Sequence, residues 1–193
     1  MKDQHQTHSF AIVLICTGNI CRSPTAERLF AAALGPSVAV SSAGTQALVG
    51  RPIAPPMARL LAEAGAHSAD FAARQVTEGD LRDADLVLTM SLDQRSAVVD
   101  IWPGAVRRTF TLRELERLLA VIDPEAIEAV GTADRLRSCI PLAAAGRRQV
   151  RDAQTVDDIA DPYGQSQERY EVAFGQIDKA VKQVVRVVGY DAR

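Results

Sequence analysis

The chain has 193 residues, of which 47% are hydrophobic and 24% are charged. These proportions are typical of a globular protein and exclude a collagen-like chain, a coiled-coil rod or a wholly disordered chain. The formal net charge of −2 does not provide the strongly basic face of a nucleic-acid-binding protein, so we expect no nucleic-acid partner.

The first part of the chain predicts a tail, a strand, a loop and a helix. Residues 1–9 are polar, and we expect them to form a disordered tail. Phe10–Ile15 is a continuous apolar run, which predicts a central strand of a parallel sheet. Small residues over 16–23 predict a loop, and Pro24 is expected to open a helix. A second short strand is predicted over Val38–Val40.

The middle of the chain alternates between helical and strand patterns. The predicted strands are Asp85–Met90 and a weaker one over Arg107–Phe110. The predicted helices are Pro56–Ala64, a short helix after a Thr77–Asp80 capping box, a helix over 92–99 after a Ser91–Gln94 capping box, and an amphipathic helix after a Thr111–Glu114 capping box.

Residues 123–154 interrupt this alternation. They contain Gly131, Pro141 and Gly146 and no aromatic residue, so we expect short helices and loops there, as an elaboration of one domain. Beyond them, apolar residues recur every three or four positions over 167–189, which predicts an amphipathic C-terminal helix. The residues of this apolar stripe are Tyr170, Phe174, Ile177, Val181, Val184 and Val188.

Strands that alternate with helices predict an α/β fold. We expect a single doubly wound domain over 10–190, with a four-stranded parallel sheet flanked by helices and a phosphate-binding loop after the first strand. Ligands bind such sheets beyond the carboxyl ends of the strands. The loop over 16–23 is therefore the first candidate for a functional site.

Three cysteines, Cys16, Cys21 and Cys139, are too few for a disulfide framework, and their number is odd. Sparse cysteines are typical of a reducing compartment, so we expect a cytoplasmic protein. No segment approaches the roughly 20 apolar residues that span a bilayer, and we expect no membrane partner. Two of the three histidines lie in the tail, so we predict neither a metal site nor a cofactor.

The segment CTGNICRSP at 16–24 lies between a strand and a helix. At such a junction the backbone N–H groups of the loop and of the helix N-terminus can bind an anion. Arg22 adds a planar guanidinium that matches two phosphate oxygens, and together with the helix N-terminus it favours the thiolate form of Cys16. Ser23 can donate a hydrogen bond to that thiolate. These features predict that Cys16 attacks a phosphorus atom held by the loop.

This loop resembles the signature of the low-molecular-weight protein tyrosine phosphatases, which is Cys, five residues, Arg, Ser and Pro near the N-terminus. Asp161-Pro162-Tyr163 is similar to the family's Asp-Pro-aromatic element before the last helix. Three other segments are similar to the family: SSAGT at 41–45, ARQVTEGDLRDADLVLTM at 73–90 and FTLREL at 110–115.

The resemblance covers about 10–113 and 155–189. Family members pass quickly from the FTL segment to the Asp-Pro loop, so the residues between these two elements depart from the family. We therefore expect a bacterial member with a helical insertion at about 116–154.

The resemblance implies a role for each residue of the motif. Cys16 is the implied nucleophile, Arg22 binds the phosphoryl oxygens, and Asp161 is the general acid and later the base for water. Asn19 and Ser23 order the loop and the thiolate. The remaining substrate-binding positions are Thr17, Gly18, Ile20, Cys21 and Tyr163.

Two of these positions have an alternative interpretation. Tyr163 is either an aromatic wall against which an aryl group stacks or a tyrosine of the core. Cys21 is either a redox partner of Cys16 or a small residue that fills a tight loop. Cys139 lies in the expected insertion and is interpreted as structural.

The implied activity is hydrolysis of phosphotyrosine in proteins through a cysteinyl-phosphate intermediate. The partner is then a phosphorylated protein, and inorganic phosphate is the product. A protein arginine phosphatase of the same family is the alternative. Ile20 favours phosphotyrosine because the arginine branch carries Thr there, whereas Gly164 resembles the arginine branch.

An arsenate reductase on the same scaffold is less favoured. Such an enzyme needs resolving cysteines, and residues 73–99 contain none. A phosphate-binding module without catalysis would be favoured only by the loss of Cys16, Arg22 or Asp161, and all three are present.

Overall fold

The structure, a computed structural model, describes residues 10–147 and 157–189. The predicted tail over 1–9 lies outside these residues. Four strands form one parallel sheet in the order β2-β1-β3-β4, and they are β1 Phe10–Cys16, β2 Val38–Gly44, β3 Leu86–Thr89 and β4 Thr109–Thr111. The helices are α1 Arg22–Leu34, α2 Pro55–Glu63, α3 Glu78–Asp83, α4 Leu92–Ile101, α5 Leu112–Leu119, α6 Thr132–Gly146 and α7 Gln167–Val188. Short 3₁₀ helices cover Pro103–Arg108 and Pro124–Ala126.

Both faces of β1 are buried, as its continuous apolar run predicts. Ile12 and Leu14 belong to a core cluster with the apolar sides of α1, α5 and α7. Val13 and Ile15 belong to a second cluster with residues of α3 and α4. Helices therefore cover both faces of the parallel sheet, which confirms the predicted doubly wound α/β fold.

Two element boundaries near the loop differ from the prediction. β2 continues past Val40 to Gly44, because its backbone pairs with β1 as far as Cys16 and this pairing does not require apolar side chains. Helix α1 begins at Arg22, ahead of Pro24. The first N–H groups of a helix have no intrahelical partner, so a proline in the first turn costs no hydrogen bond.

The last strand is also displaced from its predicted position. It covers Thr109–Thr111 and not Arg107–Phe110, because Pro103 starts a 3₁₀ helix that includes both arginines. The hydroxyl of Thr109 donates to the Ala105 carbonyl at 2.8 Å and closes this turn. The capping boxes predicted at Thr77 and Thr111 and the amphipathic helix at the C-terminus are confirmed.

Residues 132–146 form one continuous helix, where short helices and loops were expected. Pro141 lies inside α6 and deprives it of a backbone hydrogen bond. The buried residues Ala133, Leu136, Cys139 and Ala143 recur at helical spacing, so packing of this face offsets the loss. Residues 148–154 of the expected insertion lie outside the described residues, and the insertion itself stays a prediction.

Arg135 joins this helix to the C-terminal helix. Its buried guanidinium donates to the carbonyls of Ile127 and Pro124, each at 2.8 Å, and of Val187 at 2.9 Å. Hydrogen bonds from charged donors to buried carbonyls are among the stronger ones in proteins. Arg135 is therefore expected to contribute more to stability than an exposed arginine of the same helix.

We expect Arg135→Met to lower the free energy of unfolding by at least about 3 kcal/mol, because several buried carbonyls lose a charged donor and each such hydrogen bond is worth roughly 1.5–3 kcal/mol. Arg137→Met is the matched control, since Arg137 is exposed and forms a surface ion pair with Asp134. That pair is worth about 1 kcal/mol or less. Urea unfolding of the two variants measures both losses, and equal losses would contradict the role of Arg135.

Within residues 10–147 and 157–189, no group of three His, Cys, Asp or Glu side chains is arranged to hold a metal ion. In the same part of the chain, no helix is both long enough and apolar enough to cross a membrane.

Candidate active site

The candidate site lies beyond the carboxyl ends of β1 and β3, where the loop after β1 leads into α1. A cavity of about 200 Å³ opens there. Its lining consists of Cys16, Thr17, Gly18, Ile20, Cys21, Arg22, Gln46, Leu48, Asp161 and Tyr163. The structure thus brings eight of the ten predicted site residues to one cavity. The other two, Asn19 and Ser23, are completely buried and bonded around Cys16.

Hydrogen bonds from the segment that follows β2 hold the backbone of the loop. The carbonyls of Cys16, Thr17, Gly18 and Ile20 accept hydrogen bonds of 2.8–3.0 Å from N–H groups in the segment 45–54. In a trans peptide the C=O and the following N–H point in opposite directions. With the carbonyls turned outward, the N–H groups of the loop face the cavity and form a cradle for an anion.

Gly44 is a supporting residue that sequence analysis did not single out. A Cβ atom at this position would lie 2.5 Å from the carbonyl oxygen of Thr17. Any side chain there would push the loop out of place, so the close approach of β2 to the loop requires glycine. Its place in the SSAGT segment was the available signal.

A hydrogen-bond network sets the surroundings of the Cys16 sulfur. The backbone N–H of Asn19 donates to Cys16 Sγ at 3.3 Å, and Ser23 Oγ lies 3.0 Å from the same atom. Asn19 Nδ2 donates to Ser23 Oγ at 3.0 Å and to Ser42 Oγ at 2.8 Å. Because Ser23 Oγ already accepts from Asn19, its own proton is free to point at the sulfur. The network therefore directs two hydrogen-bond donors at Cys16 Sγ.

Two residues behind this network fix its direction. Ser42 Oγ donates its only proton to Glu27 Oε2 at 2.5 Å. Toward Asn19 Nδ2 it can therefore act only as a hydrogen-bond acceptor. Asn19 Oδ1 accepts from the Arg74 N–H at 2.9 Å, which orients the amide. Burial raises the pKa of the Glu27 carboxyl, and the hydrogen bond from Ser42 opposes that rise. Sequence analysis did not single out Glu27, which lies one helical turn beyond Ser23 in α1, or Arg74, which is distant from the loop in the chain.

Arg22 joins the loop to the segment that carries Asp161. Its Nη2 lies 2.6 Å from Asp161 Oδ2, and its Nη1 donates to the Ile159 carbonyl at 3.0 Å. The third nitrogen, Nε, is buried, and its N–H finds no acceptor among the described residues. Arg22 therefore keeps the Nε N–H for an incoming oxyanion, while the half-exposed Asp161 carboxylate stands at the cavity.

Tyr163 lies at the cavity with 56% of its surface exposed, so the interpretation as a core tyrosine is wrong. Its backbone N–H donates to Asp161 Oδ1 at 3.2 Å. Ile20 is only 6% exposed and contributes an apolar surface to the same cavity. The cavity thus combines an anion cradle with apolar and aromatic walls.

Cys21 differs from Cys16 in its electrostatic environment. Burial raises the pKa of the Cys21 thiol to about 12, with smaller contributions from the charges of Asp161 and Cys16. Arg22 and a hydrogen bond from Tyr170 oppose the rise. Cys21 is therefore a neutral thiol near pH 7 and a poor second nucleophile.

The third cysteine lies apart from the cavity lining. Cys139 is buried in α6, and burial raises the pKa of its thiol to about 11. All three cysteines are unpaired.

Gln94 is a further residue whose role the sequence did not indicate. The prediction of a Ser91–Gln94 capping box is half wrong: Ser91 Oγ accepts from the Gln94 N–H at 3.3 Å, but the Gln94 side chain does not return the bond. Its Oε1 accepts from the Met90 N–H at 3.0 Å, and its Nε2 donates to Thr17 Oγ1 at 3.1 Å. Gln94 therefore connects the end of β3 to the loop, which local sequence cannot show.

Comparison with known proteins identifies relatives of the part of the chain that carries the loop after β1. The model of the low molecular weight phosphotyrosine protein phosphatase family matches residues 11–128. The protein-tyrosine-phosphatase Wzb of Salmonella typhi is 36% identical over 126 residues, which are 63% of this chain and 84% of that protein. The protein-tyrosine-phosphatase Etp of Escherichia coli K12 is 35% identical over 114 residues, or 59% and 76% of the two chains.

Solved structures extend the likeness to almost the full chain. The tyrosine phosphatase AmsI of Erwinia amylovora superposes with a TM-score of 0.69 at 27% identity, covering 93% of each chain. The YwlE arginine phosphatase of Geobacillus stearothermophilus gives a TM-score of 0.66 at 25% identity, covering 92% of this chain and 91% of that one. The chain therefore belongs to the low molecular weight phosphotyrosine protein phosphatase family.

Proposed function

We propose that the protein hydrolyses phosphotyrosine in proteins through a cysteinyl-phosphate intermediate and releases inorganic phosphate. The observation that carries the proposal is the cavity that joins Cys16, with two donors directed at its sulfur, to the Arg22–Asp161 pair. A nucleophile, an anion cradle and a carboxyl group thus share one small space.

In the first step the Cys16 thiolate attacks phosphorus, and the bond between phosphorus and the tyrosine oxygen breaks. Asp161 donates its proton to that leaving oxygen, so a neutral phenol departs. The N–H groups of the loop and the free Nε of Arg22 bind the equatorial oxygens, which carry the charge of the transition state. The phosphoryl group is then bonded to Cys16 Sγ.

In the second step water attacks the cysteinyl phosphate. The Asp161 carboxylate accepts a proton from this water, and the sulfur–phosphorus bond breaks. The thiolate and inorganic phosphate are the products. The hydrogen bonds from Asn19 and Ser23 stabilise the thiolate as it leaves.

The walls of the cavity support an aromatic substrate. Ile20 and Leu48 present apolar surface, and Tyr163 presents an exposed ring. A phenyl ring gains contact with such walls, whereas a cationic guanidinium loses hydrogen bonds to water there.

Phosphorylated proteins of the cytoplasm are the partners we propose. The three unpaired cysteines support this compartment.

A protein arginine phosphatase is the second candidate, since a YwlE structure is among the similar structures. Gly164 was the sequence feature that favoured it. Gly164 has a φ of 72°, a conformation that favours glycine. Backbone geometry alone therefore accounts for this glycine, which weakens it as an indicator of substrate. An arsenate reductase is disfavoured, because Cys139 is buried in α6 and does not line the cavity.

We expect Ile20→Thr to shift the ratio of kcat/KM values from phosphotyrosine toward phosphoarginine peptides by about 10- to 100-fold. A hydroxyl restores a polar partner in a desolvated pocket, worth on the order of 1–3 kcal/mol. The measurement is kcat/KM for both peptides with both proteins. Ile20→Val is the control, since it keeps the apolar surface. An unmodified protein that already prefers phosphoarginine would contradict the argument.

A further inference from the structure

A second cavity, of about 480 Å³, adjoins the active site. We call it the flanking groove. Asp161 lines both cavities, so the segment that carries it separates the phosphate cradle on one side from the groove on the other. The groove also contains Arg113 of α5 and Arg169 of α7. A protein chain whose phosphorylated residue enters the cradle continues over the rim of that cavity, and the groove adjoins this rim at Asp161.

The charges of the groove favour an acidic ligand. Of its two carboxylates, Asp161 is paired with Arg22 at 2.6 Å, and Asp158 accepts the Leu92 N–H at 2.9 Å. Arg169 is exposed in the first turn of α7, and the part of the chain that the structure describes gives it no ion pair. Its guanidinium can therefore bind a carboxylate of a ligand without giving up a partner among the described residues.

The rest of the groove suits an extended peptide. Val172 is 48% exposed, and together with Pro162 it forms an apolar floor. Gln165 and Gln176 also line the groove and add polar side chains to it. The apolar floor would accept apolar side chains of an extended peptide, and the polar groups would bind its backbone.

We propose that the flanking groove binds the stretch of substrate protein next to the phosphorylated residue, and that Arg169 selects an acidic side chain in that stretch. This inference rests on the proposed phosphatase function and adds a sequence preference to it. The preference is independent of the chemistry in the cradle, because Arg169 touches neither the loop nor the Cys16 network.

The test compares phosphotyrosine peptides that differ only in Glu or Gln at the positions flanking the phosphorylated residue. Para-nitrophenyl phosphate, which is too small to reach the groove, reports the chemistry alone. The unmodified protein should have a kcat/KM about three- to fivefold higher for the Glu peptide, through KM, and 0.5 M salt should remove the difference. Arg169→Gln should abolish the preference and leave para-nitrophenyl phosphate turnover unchanged.

Two further variants sharpen this result. Arg169→Glu should reverse the order and favour a peptide with Lys at the flanking positions. Arg186→Gln is the matched control, because Arg186 is exposed on the same helix about 25 Å away, and it should keep the preference. A preference that survives in Arg169→Gln, or no preference in the unmodified protein, overturns the proposal. If para-nitrophenyl phosphate itself is not hydrolysed, the proposed function has failed, and the groove proposal fails with it.

Discussion

Cys16→Ser is expected to lower kcat for aryl phosphates by at least about 10⁴-fold while phosphate still binds. The variant keeps the backbone cradle and Arg22 but replaces the thiolate with a hydroxyl that is a far weaker nucleophile near neutral pH. Phosphate binding is measured as a rise in thermal stability with added phosphate, which reaches about 2.7 kcal/mol at 100 times Kd. Near-normal turnover by Cys16→Ser would show that Cys16 is not the nucleophile.

Cys21→Ser is the control for this experiment. Cys21 lies in the same loop and is a neutral thiol near pH 7, since burial raises its pKa to about 12. Its replacement should leave most of the turnover intact. Equal losses in the two variants would instead indicate that any change of a loop cysteine disturbs the cradle.

Asp161→Ala is expected to lower kcat by about 10²–10⁴-fold for aryl phosphates with poor leaving groups, and by less for good ones. The reason is that a good leaving group departs without a proton, so the loss of the general acid matters less. The measurement is kcat for a series of substituted phenyl phosphates, with the slope against leaving-group pKa as the result.

Asp161→Asn separates this chemistry from structure. The amide has the size of the carboxyl group and keeps an oxygen for Arg22, whose Nη2 lies 2.6 Å from Asp161 in the native protein. It should show the same dependence on the leaving group as the alanine variant. A loss that is the same for all leaving groups would show that Asp161 acts by positioning Arg22.

The order and type of the main elements could be predicted because local patterns determine them. The apolar run of β1, the capping boxes at Thr77 and Thr111 and the apolar stripe of α7 were each sufficient. The predicted element boundaries were wrong where contacts between distant segments determine how far a strand or helix extends. β2 extends through polar residues because β1 pairs with it, and α6 continues through Pro141 because its apolar face packs on the core.

The residues of the candidate site also differ in whether local sequence could predict them. The loop from Cys16 to Ser23 carries its own pattern and could be identified from the residues. Asp161 required the resemblance to a family, since an Asp-Pro pair is usually a turn. Gln94 could not be predicted, because it reaches Thr17 only through folding. Glu27 was not singled out, because its contact is with Ser42 of β2, a residue distant from it in the chain.

The outward carbonyls of the loop have a consequence for evolution. In the proposed reaction main-chain N–H groups and Arg22 hold the phosphoryl group, so we expect its binding to tolerate exchange of the Thr17 and Ile20 side chains, which line the same cavity. Single substitutions there can change which substrate is processed without loss of the reaction. Gly44 and Asn19 have no such freedom, because a Cβ atom at position 44 would lie 2.5 Å from the Thr17 carbonyl oxygen and Asn19 has a φ of 53°. We therefore expect new substrate specificities to arise by substitution of Thr17 or Ile20, whereas substitution of Gly44 or Asn19 should give inactive protein.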